Sequence, residues 1–414
     1  MKLALLALRN LARNRRRTAI SLAVVATGTA ALLLTAGFMA FSFEGLSEAM
    51  IHGGLGHLEI ALGSASAGRT ATLERSPAEG LDDWEVVQRQ VEALPGVLAA
   101  SPTVHVAGMV STASGTSAAF LGVAGDPARE RRMGFSVKLR QGDPVPDAPP
   151  REGEDRVMIA QGLAQALGVG PGSRVTLLAV DLEGMLNALD VTVAGLITTG
   201  VQELDTRYLR LSLGSAQRLL GTTRVSNLLV TLDRTSRTEE ALASVRSVLA
   251  GHQPPLAVVP WTERAPFYAQ VEALYVGIFW FLGTIVFALV VLATSNTLTM
   301  TVMERFRELG TLRALGTSVW QVAGLIGLEA VWLGLIGGVV GDVLGAGLIG
   351  LLNAIGITMP PPPGAVDPIE LRVVFVPEAF GGAILLMLTV LALAAVAPVL
   401  RVARLRIVDA LTHT

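Results

Sequence analysis

The 414-residue sequence contains no cysteine, which excludes disulfide bonds, cysteine-ligated zinc and catalysis by a thiol. Lysine is nearly absent as well, and neither Lys2 nor Lys138 is followed by serine or threonine. A P-loop needs that lysine–hydroxyl pair to hold phosphates and Mg²⁺, so we do not expect this chain to hydrolyse nucleotides itself. The sequence also lacks G-x-S-x-G and H-E-x-x-H. We therefore expect no catalytic residue, no metal site and no cofactor in this chain.

Charge is also scarce, and this scarcity indicates the class of protein. Charged residues make up 16% of the chain, against about 25% in ordinary soluble domains. Hydrophobic residues account for 51%, and the mean hydropathy is +0.55. The net charge of −2 provides no basic field for nucleic acid, which is not an expected partner. The composition is typical of a membrane protein that also carries a sizeable water-exposed part.

Four apolar stretches are long enough to cross a bilayer, which requires about 20 residues. They are predicted at residues 18–43, 266–299, 319–352 and 376–400, the second including a stalk that begins before the membrane. Arginines precede the first stretch, as they would precede a signal peptide. Its apolar part of about 25 residues exceeds the 7–15 of a signal peptide, so we expect a retained helix.

The positions of arginine and lysine predict which side of the membrane each short segment occupies. Three segments are rich in them: 1–17 with six, 300–318 with three and 401–414 with three. The loop at 353–375 carries only Arg372. Both termini and the 300–318 segment are therefore predicted to be cytoplasmic. The long segment 44–265 is predicted to lie on the opposite side.

Residues 44–265 have the patterns of a folded domain. Alternating apolar residues predict strands at 56–62, 97–110, 118–123, 157–160, 175–180, 191–198 and 227–232. Helical periodicity predicts helices at 82–94, 163–167, 215–220 and 239–249. A proline-rich stretch at 143–153 predicts an exposed loop. The predicted fold class is thus a membrane protein, α-helical with four transmembrane helices, plus a large α+β periplasmic domain of one or two lobes between helices one and two.

The 300–318 segment contains the most informative string, M-E-R-F-R-E-L-G-T-L-R-A-L-G at residues 303–316. As one helix, it allows Glu304 to pair with Arg307, or Glu308 with Arg305, three residues apart. A solvated helix at the membrane surface and a docking surface for a cytoplasmic partner both fit this pattern. The candidate docking residues are Glu304, Arg305, Phe306, Arg307, Glu308, Leu309, Arg313 and Leu315.

This string resembles the segment after the second helix in permeases of the FtsX/MacB-type ABC transporters. The opening A-L-R-N-L-A-R-N-R-R-R-T at 7–18 and the tail A-P-V-L-R-V-A-R-L at 397–405 are similar to the same family. The resemblance implies a dimer of four-helix subunits, identical or homologous, in a bacterial inner membrane. It also implies a separate cytoplasmic ATPase, which would bind ATP and Mg²⁺ and dock on 303–316 as the coupling helix.

Within that family, three strings are similar to the lipoprotein-releasing LolC/LolE-type permeases: G-H-L-E-I at 56–60, G-V-A-G-D-P at 122–127 and T-G-V-Q-E-L-D at 199–205. That likeness implies extraction of lipoproteins from the outer leaflet and their transfer to a periplasmic carrier. Two alternatives stay open. One is a MacB-like permease that transmits motion for efflux, and the other is an FtsX-like regulator of a cell-wall hydrolase that moves no substrate.

The third apolar stretch carries glycines four residues apart: Gly334 with Gly338, and Gly337 with Gly341 and Gly345. Such spacing lets helices approach closely in lipid, through packing within the subunit, a dimer contact or a hinge. The same stretch contains Glu329 and Asp342, and carboxylates in lipid need partners. We expect an arginine of the 300–318 segment to bind Glu329.

Aromatic residues and one methionine cluster where the first helix ends and the second begins. They fit an interfacial aromatic belt or the wall of an apolar cavity for a lipid. The candidate cavity residues are Phe38, Met39, Phe43, Tyr268, Tyr275 and Phe279.

Overall fold

The computed structural model describes residues 2–13, 15–63, 80–135, 137–146, 154–360 and 368–403. The chain divides into two compact units. A helical unit comprises Met1–Glu44, Glu272–Met359 and Glu370–Thr414, and a strand-rich unit comprises Gly45–Val271 and Pro360–Ile369. The predicted tail beyond residue 403, residues 361–367 of the 353–375 loop and residues 147–153 of the proline-rich loop lie outside the described residues.

The helices and strands are numbered in chain order. The helices are α1 Lys2–Arg13, α2 Arg15–Met50, α3 Trp84–Glu92, α4 Pro127–Arg132, α5 Gln161–Leu167, α6 Gln202–Asp205, α7 Leu213–Leu220, α8 Thr238–Leu249, α9 Trp261–Arg264, α10 Pro266–Glu304, α11 Phe306–Ala314, α12 Val319–Ile355 and α13 Pro377–Ala403. The strands are β1 Leu58–Leu62, β2 Val97–Thr112, β3 Ser117–Gly125, β4 Lys138–Gly142, β5 Arg156–Ala160, β6 Arg174–Val180, β7 Leu186–Thr198, β8 Tyr208–Ser212, β9 Asn227–Leu232, β10 Leu256–Pro260, β11 Thr358–Met359 and β12 Ile369–Glu370.

Among the described residues, four helices, α2, α10, α12 and α13, are long and apolar enough to cross a membrane, with mean hydropathy between 2.0 and 2.7. Their ends follow from local chemistry. Pro266 and Pro377 open α10 and α13, where a missing N–H is tolerated. Ser318 caps α12 reciprocally with Gln321, and Gly356 ends that helix with a φ of +64°.

Helix α10 extends beyond the boundary predicted at residue 299, and the segment 303–316 is not one helix. Residues 300–304 contain neither glycine nor proline, so nothing stops α10 before Glu304. Arg305 then leaves helical geometry, with φ −99° and ψ 16°, and α11 begins at Phe306.

The helical unit buries its core where the four long helices meet. Val25 of α2, Val290 of α10, Leu333 of α12 and Leu391 of α13 all lie in this cluster. Helix α10 contributes one buried stripe, Val290, Thr294, Leu298 and Val302, while its remaining large apolar side chains are mostly exposed. Lipid would cover such side chains in a spanning helix.

The five glycines of α12 that were predicted to pack lie on two faces, each against a different helix. Gly334 and Gly338 face α13, where an added Cβ would lie 3.1 Å and 3.3 Å from the side chains of Leu388 and Ile384. Gly337, Gly341 and Gly345 face α2, where an added Cβ would lie within 2.8 Å of a neighbouring atom. The glycines therefore pack within the subunit, which was one of the three alternatives for them.

Six strands of the strand-rich unit close into a ring in the order β2–β3–β8–β5–β7–β6 and back to β2. Pairing is antiparallel except between β3 and β8 and between β5 and β7. Phe120, Ile159 and Leu177 fill the core, together with Leu163 from α5 and Leu219 from α7.

A second layer shares the long strand β2, which has 16 residues. The first half of β2 pairs with β9, and β1 and β10 continue the sheet in the order β9–β1–β10. Helices α3 and α8 cover it with Val91 and Val245, forming a separate core. Two cores therefore lie within one compact unit and share the strand β2.

The strands and helices predicted within 44–265 are present, but among the described residues six others were missed: β4, β8, β10, α4, α6 and α9. The run at 157–180 folds as β5–α5–β6, yet β5 and β6 do not pair with each other. Strand β7 lies between them and pairs with both.

Candidate functional site

The segment after α10 folds as a short helix between two breaks. Arg305 interrupts the helical path before α11, and Gly316 follows it with a φ of +97°, in the left-handed region that favours glycine. Ser318 then caps α12. The breaks make α11 a separate element between two long apolar helices.

A buried carboxylate of α12 anchors this element. Glu329 Oε1 accepts hydrogen bonds from Arg305 Nη1 at 2.9 Å and from Asn10 Nδ2 at 2.8 Å. Only 4% of Glu329 is exposed, and a buried carboxylate is tolerated when it is paired. The prediction that an arginine of the 300–318 segment binds Glu329 is confirmed.

Two further ion pairs join this region to the N-terminal helices. Glu308 accepts from Arg13 Nη2 at 2.6 Å and from Arg305 Nε at 3.2 Å, so the predicted Glu308–Arg305 pair is present. Arg17 pairs with Glu304. The predicted pairing of Glu304 with Arg307 is wrong, because the break at Arg305 places those two residues on different helices.

The ion pairs of this region stabilise the charged forms of Glu308 and Arg305. The hydrogen bond from Arg13 lowers the pKa of Glu308; partial burial opposes it, and Arg305 adds to the lowering. Burial lowers the pKa of Arg305, but the hydrogen bonds and charges of Glu329 and Glu308 outweigh it and raise that pKa overall. Both side chains therefore stay ionised at neutral pH.

One face of α11 is packed and another is exposed. Leu309 is buried in a cluster with Val302, Val322, Ile326 and Val402, and Phe306 packs against that cluster. Arg307 and Leu312 are exposed, Leu315 is 80% exposed, and Arg313 is half-buried. Of the predicted docking residues, Arg307 and Leu315 thus face outward, whereas Arg305 and Leu309 hold the element in place.

Sequence reasoning missed four residues of this region: Asn10, Arg13, Arg17 and Trp320. Asn10 and Arg13 are three residues apart on α1, which places both on one helical face and could have signalled a shared contact, whereas Arg17 lies on α2. Trp320 is 84% exposed at the start of α12, beyond the left-handed turn at Gly316.

Four of the predicted cavity residues come together between α2 and α10. The ring centroids of Phe38 and Phe279 lie 6.3 Å apart, those of Phe43 and Tyr275 6.2 Å, and those of Tyr275 and Phe279 6.3 Å. Met39 is half-buried beside Phe38 in the sequence. These separations are typical of aromatic contacts that form a rigid wall.

Tyr268 is a correction to that set. It belongs to the strand-rich unit, where its ring lies edge-on to Trp261 with centroids 4.7 Å apart. Its neighbours there are the buried Ile51 and Ala265. The structure therefore assigns Tyr268 to a local core rather than to the aromatic contacts of α2 and α10.

A histidine of the G-H-L-E-I string holds a connected set of hydrogen bonds in the strand-rich unit. His57 Nδ1 accepts from the Leu232 backbone N–H at 3.2 Å, so His57 Nε2 carries the proton and donates to Thr235 Oγ1 at 3.1 Å. Thr235 Oγ1 donates in turn to Glu48 at 2.9 Å. Burial lowers the pKa of His57 from 6.5 to about 4.

The other two strings also have structural roles. Asp126 accepts from the backbone N–H groups of Ala128 and Arg129 and caps α4 behind Pro127. Asp205 accepts from Thr198 Oγ1 at 2.5 Å and from the Thr199 N–H at 2.7 Å. These residues shape turns of the domain rather than a reactive centre.

The fold and the segment around α11 define a class of membrane protein. Such a protein has a short helix between its second and third apolar helices and a large strand-rich domain between its first and second. The sequence model of the MacB-like periplasmic core domain matches residues 18–248, more than half of the chain. The FtsX-like permease C-terminal model matches residues 280–407. The chain belongs to the FtsX/MacB-type permease family, as the motifs predicted.

Individual relatives are more distant. The lipoprotein-releasing system transmembrane protein LolC of Neisseria meningitidis serogroup B is 25% identical over 273 residues, 64% of each chain, so this chain spans less than two thirds of that relative. An uncharacterized ABC transporter permease of Methanocaldococcus jannaschii is 38% identical over 65 residues, 16% of each chain. The periplasmic region of MacB from Actinobacillus actinomycetemcomitans is 11% identical, with a TM-score of 0.36 over 51% of this chain and 92% of that chain.

Proposed function

We propose that this chain is the membrane subunit of an ABC transporter that extracts lipoproteins from the outer leaflet of a bacterial inner membrane. A separate cytoplasmic ATPase docks on α11, and a second permease subunit, identical or homologous, completes the complex. ATP and Mg²⁺ bind to the ATPase, and the lipoprotein passes to a periplasmic carrier. Both termini are cytoplasmic, and the strand-rich unit is periplasmic.

The observation that supports the ATPase interaction is that α11 is anchored to its neighbours, while exposed apolar side chains follow it at Leu315 and at Trp320, near the start of α12. Leu309 and Arg305 fix α11 to its neighbours, while Leu315 and Trp320 expose large apolar surfaces outside the helix core. Exposed apolar side chains near charged residues mark protein interaction sites. A docked ATPase would bury them.

The ion pairs provide a route for transmitting motion from that docking surface. Arg305 contacts Glu329 of α12, and Glu308 contacts Arg13 of α1, so displacement of α11 acts on two other helices at once. A paired, partly buried charge resists separation from its partner, which favours movement of these helices as one body.

A test of docking uses an exposed leucine that no packing requires. Leu315→Glu should abolish the ATP hydrolysis that copurifies with the tagged full-length chain from its native membranes. Leu98 of β2, which is 50% exposed, provides the matched control: Leu98→Glu should copurify normal activity. Undiminished activity with Leu315→Glu would mean that the ATPase docks elsewhere.

The proposal that the substrate is a lipoprotein rests on the likeness to LolC and on the aromatic residues that join α2 and α10. An acyl chain gains little from leaving lipid for another apolar site, so selectivity depends on a cavity of defined shape. Phe38 and Phe279 are rigid side chains suited to such a wall. Helices α2 and α10 border the sequence of the strand-rich unit, through which a periplasmic carrier would be reached.

Photo-crosslinkers at Met39 and Tyr275 should capture the acyl chains of a reconstituted lipoprotein. The double variant Met39→Ala, Tyr275→Ala should bind the ATPase normally and release less lipoprotein from vesicles. Normal release together with the absence of crosslinks would contradict this substrate.

A MacB-like role in driving efflux is the second candidate, because the MacB-like core model covers residues 18–248. In that case the strand-rich unit transmits motion to a duct partner, and no lipid enters between α2 and α10. Purification from native membranes distinguishes the two: a triacylated protein in the complex supports the first role, and an outer-membrane duct protein supports the second.

A further inference from the structure

The first helix, α1, is held along one face and exposed along the other. Ala7 is fully buried, and Asn10 donates to the buried carboxylate of α12 at 2.8 Å. On the opposite face Leu5 is 73% exposed and Leu8 is 37% exposed. At 100° per residue, Leu8 lies about 60° to one side of Leu5, and the exposed Arg9 lies about 40° to the other side. The exposed face of α1 therefore has an apolar sector beside a basic one.

Three exposed arginines lie where α1 gives way to α2, and they form a basic corner: Arg9, Arg15 and Arg16. Within the part of the chain that the structure describes, none of the three forms a hydrogen bond or an ion pair. Their neighbours differ, because Arg13 and Arg17 pair with carboxylates at either end of the break before α11. The basic corner thus carries positive charge that these carboxylates leave unneutralised.

The basic corner adjoins the apolar span of α2. Residues 18–43 contain no charged residue, so Arg15 and Arg16 stand next to the beginning of that span. Ile20, one helical turn after Arg16, is 54% exposed. Residues 1–43 as a whole contain six cations and no acidic residue, whereas the docking surface proposed on α11 mixes both signs. Arginines beside exposed leucines, without acidic residues, are the pattern of a helix that lies on an anionic lipid surface.

We propose that the basic corner and the exposed face of α1 bind anionic phospholipids. The guanidinium groups hold the lipid phosphates, for which arginine offers several N–H donors at once, while Leu5 and Leu8 lie among the acyl chains. Because Arg13 of the same helix donates to Glu308 of α11, bound lipid fixes the helix against which α11 moves. This inference rests on the membrane-spanning part of the proposed function and is independent of the ATPase and of the substrate.

Because the chain has no cysteine, one introduced cysteine can carry a fluorescent label on the apolar sector of α1. Full-length Leu8→Cys is labelled and reconstituted in vesicles of phosphatidylcholine and phosphatidylglycerol, one of which has acyl chains brominated near the headgroup to quench the label. At equal mole fractions, brominated phosphatidylglycerol should quench more than brominated phosphatidylcholine. Labelled Leu98→Cys of β2 is the aqueous control and should be quenched by neither lipid. A Leu8→Cys label that neither lipid quenches, or that both quench equally, would overturn the proposal.

The arginines are tested one at a time in the same labelled chain. Arg16→Gln should lower the preference for phosphatidylglycerol about fivefold, which is the effect of one basic residue near an anionic lipid surface, and Arg16→Lys should retain most of that preference. Arg174→Gln removes an exposed arginine of β6 and is the matched control, which should change nothing.

An unchanged preference in Arg9→Gln, Arg15→Gln and Arg16→Gln would refute the role of the basic corner. Loss of copurifying ATP hydrolysis in these variants, with the lipid preference intact, would assign the basic corner to a protein partner instead. The vesicles contain neither ATPase nor lipoprotein, so a failure of the proposed transport would leave the quenching result intact.

Discussion

Acidification from pH 7 to pH 5 should loosen strand β9 through one side chain, His57. This imidazole is 2% exposed and is held neutral, because its Nδ1 must accept the Leu232 N–H. Protonation would place a second donor against that N–H. Glu48 and Asp233 nearby favour the charged form and His52 disfavours it, but burial is the largest influence and lowers the pKa to about 4.

The direction and size of this pH effect follow from the pKa of His57 in the folded and unfolded states. Its pKa is about 4 when folded and 6.5 when unfolded, so its contribution is complete above pH 6.5 and is lost as the pH falls toward 4. The full difference corresponds to about 3 kcal/mol at 1.36 kcal/mol for each pKa unit. Between pH 7 and pH 5 the loss is about 2 kcal/mol, or about twentyfold in the opening equilibrium.

Hydrogen–deuterium exchange of β9 in the full-length protein measures this loss, once the intrinsic pH dependence of exchange is removed. The matched variant is His57→Gln, whose amide can accept from Leu232 and donate to Thr235 without titrating. Wild-type protection should fall about twentyfold more than that of the variant. Equal pH dependence in the two proteins would refute the assignment of His57 as a buried neutral acceptor.

Three further predictions concern other parts of the chain. Arg210 is 7% exposed and pairs with Glu130, so Glu130→Ala would leave a buried unpaired charge. The variant should lower the free energy of unfolding by about 3–5 kcal/mol and lower the calorimetric midpoint of the full-length protein. An unchanged midpoint would contradict a buried pair. Gly341→Ala would place a Cβ 2.5 Å from a side chain of α2 and should reduce folded yield in membranes, whereas Gly347→Ala, which meets nothing within 4 Å, should not; equal yields would argue against that packing. Thr317→Cys should resist a membrane-impermeant thiol reagent in intact cells, and labelling there would reverse the topology.

Hydrophobic length and periodicity predicted the helices and strands whose burial depends only on their own local sequence pattern. A bilayer span needs only a long apolar run, and a half-buried strand needs only alternation, so both are visible locally. Strand β4 was missed because all five of its residues are exposed. Strand β8 was missed for the opposite reason: it is buried throughout, with the charged Arg210 paired inside, so it shows no alternation.

The ion pairs around α11 were likewise predicted only where the two residues are close in the sequence. Spacing predicted that Glu308 pairs with Arg305, because Arg305 immediately precedes α11 and Glu308 lies in the first turn of that helix. It could not predict that Glu304 pairs with Arg17, since that contact joins residues 287 positions apart and depends on how the helices pack. At the break, the guanidinium of Arg305 donates to Glu329 on α12 as well as to Glu308, and the contact with α12 also depends on how the helices pack.

The aromatic residues of α10 show what local spacing leaves open. Tyr268, Tyr275 and Phe279 recur on one helical face, but their neighbours depend on the register between α10 and α2. The observed contacts set that register: from Phe38 to Phe43 on α2 the partner shifts back along α10 from Phe279 to Tyr275, as antiparallel helices require. Seven residues before Tyr275, Tyr268 corresponds to the end of α2, where a local core containing Trp261 takes it up. The register therefore confines the candidate lipid contact to the two turns of α2 and α10 that the aromatic pairs join.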